Sequence, residues 1–260
     1  MCLKAICLLL THQIYKPMKN NNEFELSFNL AEDMGERGLV EIHAGDVNLP
    51  TGRIVASDPF FSAEQTAFAR SVEPDKYPVY IYTEQIDKLH NRIAYAKIKF
   101  RPEPATRWIL ALTEDITDEE LKDLDEDEFY GFAVESGLAS FMDEETNEEF
   151  INKLDALQEK DPEYNYYDEV LSEEFRLYSG KNAFSRELGD WNDHRVSPDS
   201  DNNIMMFAAG WGDGYYPAYW GLNDNGDIIE LVIDFLLDDF DTTDGDAEAE
   251  DESEPDEENV

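Results

Sequence analysis

Residues 92–100 read RIAYAKIKF, with Ile93, Tyr95, Lys97 and Lys99 at one parity and Ala94, Ala96, Ile98 and Phe100 at the other. Successive side chains of an extended strand point to opposite faces, so a run of this kind belongs in a sheet rather than a helix. The same period recurs along the chain. Phe24, Leu26, Phe28 and Leu30 alternate with polar neighbours, and residues 38–43, 53–56, 77–82, 107–112 and 129–134 are further short strand candidates. The Pro50-Thr51-Gly52 turn signal leads into the third of these runs. Strand patterns return at 203–208, 215–220 and 228–235. Between the last two, Asn225-Gly226 is the strongest hairpin signal in the chain.

The middle of the chain changes period. Phe150, Ile151, Leu154 and Leu157 recur at helical spacing within 147–159, with Thr146 or Asn147 placed to cap the helix and Pro162 to stop it. Residues 164–178 form a second helix candidate, with Tyr167, Val170, Leu171, Phe175 and Leu177 roughly on one side and Gly180 as its stop. Residues 181–202 are polar and irregular and read as a loop. The expected architecture is α+β: an antiparallel-rich β-sheet domain with a helical insertion near 145–180. No internal repeat is present.

Charge divides the chain further. There are 61 acids and 20 bases, a formal net charge of −41, and no base follows Arg195. Residues 238–258 carry 13 acids and almost nothing apolar beyond Phe240, so 238–260 is expected to be a disordered acidic tail. Subtracting those 13 acids leaves −28, so the body is acidic in its own right. The domain reading is an N-terminal extension at 1–22, a single α+β domain at 23–237 and the tail at 238–260. Salt adaptation would also give an acidic composition. Against it stand the 11 Lys among the bases and the large stock of aromatic and apolar residues. Such a charge repels phosphate and anionic headgroups, so neither nucleic acid nor a membrane surface is an expected partner.

The two cysteines, Cys2 and Cys7, lie at the N-terminus and cannot staple the body. A body without cysteine fits a reducing compartment, and a cytoplasmic location is expected. Residues 5–10 are apolar after Lys4, but six residues are short for a signal segment and no small-residue cleavage site follows. Met18 is an alternative start.

The segment GWGDGYYPAYWG at 210–221 is the most unusual stretch. Glycines at alternate positions imply backbone that a side chain would forbid, or a close approach to another group. One reading is a shallow binding site with Asp213 as the contact and Trp211, Tyr216 and Trp220 as walls. The other is a tight turn with the aromatics in the core. The glycine spacing is wrong for a phosphate loop and no lysine follows. Asp224-Asn225-Gly226-Asp227 resembles part of a calcium loop, but position twelve is Phe235 where a glutamate is needed. Asp58, in Ser57-Asp58-Pro59, together with Glu135 or Asp143 could form a carboxylate pair for acid–base or metal chemistry. With 61 acids, some carboxylates converge by chance. His12, His43, His90 and His194 show no metal-ligand spacing, and no nucleophile signature occurs. No cofactor, no metal and no catalytic residue are assigned from the sequence, and the oligomeric state is left open.

Several blocks taken in order suggest a family. They are the 53–59 run ending in Asp58-Pro59, Tyr77-Pro78-Val79, the 92–97 run, and Trp108 with Ala111-Leu112. Val134-Glu135-Ser136-Gly137 with Asp143 downstream, and the 210–217 run with Trp220-Gly221, complete the set. The chain resembles domain-of-unknown-function family 4241, found mainly in bacteria, over about residues 40–236. Glu135 departs from the aspartate expected there, and its longer side chain would shift any ligand geometry. The resemblance implies a fold and no activity.

Two functional readings follow. An acidic, motif-poor domain suits an immunity-type inhibitor of a basic protein partner such as a toxin, since opposite charge steers association. The alternative is an enzyme, or a small-ligand or cation binder, with a carboxylate site around Asp213, Asp58 and Glu135.

Overall fold

The computed structural model describes residues 18–20, 23–25, 30–88, 90–117, 120 and 129–237. The expected acidic tail at 238–260, and most of the extension at 1–22, lie outside the described residues. Three antiparallel sheets carry the fold. The eight-stranded sheet contains β1 (Met18–Asn20), β2 (Glu23–Glu25), β3 (Val40–Leu49), β5 (Asp75–Gln85), β6 (Asn91–Lys99), β7 (Arg107–Leu110), β13 (Ala218–Leu222) and β14 (Ile228–Asp234). Its order is β1-β2-β7-β13-β14-β6-β5-β3. The four-stranded sheet runs β10 (Trp191–Arg195), β11 (Asn203–Ala208), β9 (Leu138–Asp143), β4 (Ile54–Ser57). A two-stranded ribbon pairs β12 (Gly214–Tyr216) with β8 (Phe132–Val134).

The two larger sheets face each other across the main core, where Val79, Ile81, Ile98, Trp220 and Leu231 meet Phe141, Met205 and Phe207. Outside the eight-stranded sheet, α1 (Leu30–Glu36) lays Leu30 and Met34 against Tyr82, Tyr95, Trp108 and Val232. Leu30 therefore starts a helix, although its alternation with Phe24 reads as strand; Leu30 and Met34, four residues apart, share one helical face. Outside the four-stranded sheet lies the helical insertion. There Phe150 of α2 (Glu144–Gln158) and Phe175 of α3 (Ser172–Tyr178) cover Leu138, Met142, Ile204 and Met206. The α+β expectation and the insertion near 145–180 both hold, with a π-helical turn at Tyr167–Leu171 leading into α3. No described helix is long and apolar enough to cross a membrane.

Local details depart from the periodicity for identifiable reasons. In the β5–β6 ladder Tyr82 pairs with Tyr95 and Thr83 with Ile93, which leaves Ala94 as an extra residue. Such a bulge reverses the parity of what precedes it. Ile93 thus joins Ala96 and Ile98 in the main core, while Tyr95 faces outward toward α1. Strand β9 has all six residues buried, Ala139 and Phe141 toward the main core and Leu138 and Met142 toward the helices, so it shows no polar alternation. Strand β10 lies in the stretch that reads as a loop; its buried Asn192 and His194 are matched by Glu174 of α3. Helix α2 begins at Glu144, earlier than expected, because Asp143 rather than Thr146 or Asn147 is its N-cap.

The long strand β3 closes one side of the eight-stranded sheet and carries its own bulge at Ala44. Side chains from the rest of the molecule reach its outer rim. Tyr178 donates to Ala44 O at 3.0 Å, Asn203 Nδ2 donates to Asp46 O at 2.8 Å, and Asn48 N donates to Asn203 Oδ1 at 2.8 Å.

Candidate functional site

The carboxylates singled out by sequence have distinct roles. Asp58 follows β4 and is buried. Its Oδ1 accepts from Phe60 N at 2.9 Å, and its Oδ2 from Glu135 N at 2.9 Å and Ser136 N at 2.7 Å. Proline at 59 suits this turn, because its fixed φ bends the chain back beside the carboxylate. Asp58 thereby ties the end of β4 to the turn after β8, and it meets Glu135 through main chain only; the Glu135 side chain faces solvent. Asp143 is buried at the junction of β9 and α2. It accepts from Thr51 N at 3.0 Å, from Thr51 Oγ1 at 2.9 Å and from Glu145 N at 3.0 Å. Burial pushes its pKa up, and those hydrogen bonds restrain the rise.

The glycine-rich segment forms the turn between β11 and β12. Gly210 has φ +34, and a Cβ there would sit 2.7 Å from Phe235 Cβ, so the turn requires glycine both for conformation and for space. Asp213 is exposed at its tip. Tyr216 is buried and donates to Gly212 O at 2.9 Å; burial first, and the Asp213 charge second, push its phenol up to about 12. Trp220 is core, set against Phe68 and Phe100 at ring distances of 5.8 and 6.2 Å. Trp211 is half-buried beneath the Arg92 guanidinium, 5.3 Å from the ring centroid. Because Val134 pairs with Gly214, Glu135 and Asp213 are the residues just beyond the end of that ladder. Asp58 joins them only through its backbone contacts, and Asp143 belongs to the start of α2. Among the described residues no group of three His, Cys, Asp or Glu is arranged to hold a metal ion.

A concavity among the described residues lies elsewhere, under the helical insertion, with a volume of about 500 Å³. That falls within the usual range of small-ligand sites. Phe60 and Phe61 come from the turn after Asp58, Leu154 and Leu157 from α2, and Tyr164, Tyr166 and Tyr167 from the segment after Pro162. Ser136, Gln158, Asn165, Glu163 and Arg186 are its polar lining, so one carboxylate and one guanidinium both border the cleft. Phe61 is 57% exposed, a large apolar side chain left at the rim.

Behind the cleft wall runs a hydrogen-bonded chain. Tyr166 Oη lies 3.1 Å from His194 Nε2, and His194 Nδ1 lies 2.8 Å from Glu174 Oε2. With neutral His194, the phenol donates to Nε2 and Nδ1–H donates to the carboxylate. Burial raises the Tyr166 pKa, and the Glu174 charge adds to it. For Glu174, burial opposes the charged form, but the bonds from His194 and Asn192 outweigh it and hold the carboxyl below its ordinary value. Phe150 closes this group with edge-on contacts to Tyr166 and His194, both at 5.5 Å.

Arg186 makes its contacts with neutral groups. Its Nη1 donates to Gly137 O and its Nη2 to Tyr167 Oη, both at 3.3 Å, and its Cζ lies 5.6 Å from the Tyr167 ring centroid. Among the described residues no carboxylate lies within 4.0 Å of it. The loop that carries it is fixed by Asp190, fully buried, whose carboxylate accepts from Phe184 N at 2.7 Å and from Ser185 N and Arg186 N at 3.1 Å. Sequence reasoning passed over Arg186 and Tyr166 and weighed His194 only for metal-ligand spacing. The one local signal was the tyrosine cluster at 164, 166 and 167, directly after Pro162.

Searches of curated proteins and of solved structures return no match to this chain. A family model does match, over residues 47–233, inside the span where the ordered blocks point to it. The chain belongs to the family described as protein of unknown function (DUF4241).

Proposed function

We propose that this protein is a cytoplasmic binding protein for a basic macromolecular partner, of the immunity type, with the helical insertion as its docking face. The observation that carries the reading is the pair of exposed apolar side chains on α3, Leu177 at 69% and Tyr178 at 44%, within a strongly acidic segment. Residues 144–178 hold 12 acids and three bases. Of those bases, Arg176 pairs with Glu173, and Lys153 is turned to Val196 O. Elsewhere Arg37, Arg53, Lys97, Lys99, Arg101 and Arg195 each lie within ion-pair distance of a carboxylate, so the acidic excess is what the surface offers. An apolar centre with a charged surround is the usual anatomy of a protein interface, and the charge speeds encounter with an opposite surface.

The carboxylate-centred alternative draws no support from Asp58 or Asp143, whose oxygens are occupied by local donors. The test is capture from native lysate by full-length protein at low and high salt, beside Leu177→Ala and beside polylysine as a featureless cation. One basic protein should be held by the wild type, released by salt and lost with Leu177→Ala. Retention that Leu177→Ala leaves unchanged, and that polylysine competes away, would mean general adhesion to cations and would end the reading.

A further inference from the structure

We infer that the cleft under the helical insertion is a binding site for a small organic anion, a flat or apolar body carrying a carboxylate, sulfonate or phosphate, with Arg186 as the group that holds the charge. The inference is independent of the basic-partner reading, because it concerns a cation and a concavity rather than the acidic surface.

Five observations support it. The chain carries 61 acids, yet among the described residues none lies within 4.0 Å of Arg186; Glu163 borders the same cleft but is not paired with it. A guanidinium has five N–H donors, and two of these are used, by Gly137 O and Tyr167 Oη. The other three have no acceptor among the described residues, and a forked donor of this kind suits a carboxylate or phosphate. The side chain is also pre-positioned: it lies against the Tyr167 ring, and its loop is clamped by the buried Asp190. A donor already held in place loses little freedom on binding. Close by, Ser136 Oγ is shut from solvent with no hydrogen-bond partner among the described residues. Finally, Phe60, Phe61, Tyr164 and Tyr166 give the cleft aromatic walls on which a flat ring can lie.

The net charge of −41 makes this site distinctive. At long range the protein repels an anion, and salt screens that repulsion; the contact inside the cleft is screened less. Anion binding should therefore hold or tighten as salt rises from about 0.05 to 0.3 M, opposite to the trend for a basic partner.

The probe is anilinonaphthalene sulfonate, a fluorescent aromatic anion, titrated into the full-length chain beside anilinonaphthalene, the same rings without the charge. The expected result is one saturable site per chain. Arg186→Gln should weaken the anion about tenfold or more and leave the neutral probe unchanged, the loss of a charge-assisted hydrogen bond. Phe61→Ser, at an exposed rim position that needs no refolding of the core, should weaken both probes. No saturable binding by the wild type, equal effects of Arg186→Gln on the two probes, or no effect of Phe61→Ser on either would each overturn the inference. If Arg186→Gln fails to fold, the Phe61→Ser comparison and the salt trend decide the matter, and affinity that falls with salt counts against it.

Discussion

Replacing Asp58 with alanine removes one carboxylate and leaves three main-chain donors, Phe60 N, Glu135 N and Ser136 N, without their acceptor. Hydrogen bonds to a charged acceptor contribute about 1.5–3 kcal/mol each. Three that share one carboxylate do not add independently. Water entering the vacated space would also satisfy part of the loss. We therefore expect Asp58→Ala to cost about 3–5 kcal/mol, a large share of the roughly 5–15 kcal/mol that holds a domain folded. Asp58→Asn keeps the shape and one good acceptor but turns an NH2 toward at least one donor; it should cost about half as much, roughly 2 kcal/mol. The assay is urea unfolding followed by tryptophan fluorescence, since Trp108 and Trp220 are buried and report on the packed sheets. The midpoint should fall with the slope unchanged. A loss below about 1 kcal/mol for Asp58→Ala would refute the argument. It would show that the carboxylate is not needed to join β4 to the turn after β8, and would return Asp58 to the candidates for chemistry.

Two further outcomes follow from the helical layer. Glu174 has a folded pKa below its ordinary 4.5, so it stabilises the fold above that value and loses the contribution as pH falls through the folded one. Urea midpoints measured from neutrality down to below pH 4.5 should fall less steeply for Glu174→Gln than for the wild type, and parallel curves would contradict this. Phe150 is fully buried between α2 and β10, in contact with Tyr166 and His194, and Phe150→Ala should cost about 3–5 kcal/mol by leaving a cavity; a change under about 1 kcal/mol in the same assay would mean that this layer repacks freely.

Much of the fold was legible because one face of each strand is apolar and the turns carry their own chemistry. The β13–β14 hairpin is the clearest case: Asn225-Gly226 lies in its connection, and Ala218 to Gly221 pair in regular order with Ile233 to Glu230 before a bulge at Ile229 beside the turn. Strand β9 was invisible for the opposite reason, since burial on both faces erases the period of two. Strand β10 was hidden because Asn192 and His194 look like loop residues until Glu174 arrives from another element to satisfy them. The Ala94 bulge changes the parity of Ile93 by geometry that no local pattern announces. Position in the chain drew attention to Asp58 and Asp143; several of their partners, Glu135 N, Ser136 N and the Thr51 amide and hydroxyl, come from distant segments, which spacing does not reveal. The Arg186 cleft is assembled from separate stretches around 60, 136, 154–167 and 186, so its residues become neighbours only through the packing of the insertion on the four-stranded sheet.

The outer rim of β3 has a bearing on how the protein behaves at high concentration. A long strand at the border of a sheet offers a row of N–H and C=O groups onto which another chain can accrete, the first step toward fibrillar aggregation. In this molecule the 44–48 part of that row is already answered from within, by the Tyr178 hydroxyl on Ala44 O and by the Asn203 amide on Asp46 O and Asn48 N, while the bulge at Ala44 breaks the regular spacing a recruit would need. An incoming strand would have to displace side chains anchored in α3 and β11 before bonding along 44–48. The amide of Asn203 therefore occupies the stretch of this edge, from Asp46 to Asn48, that a growing sheet would use.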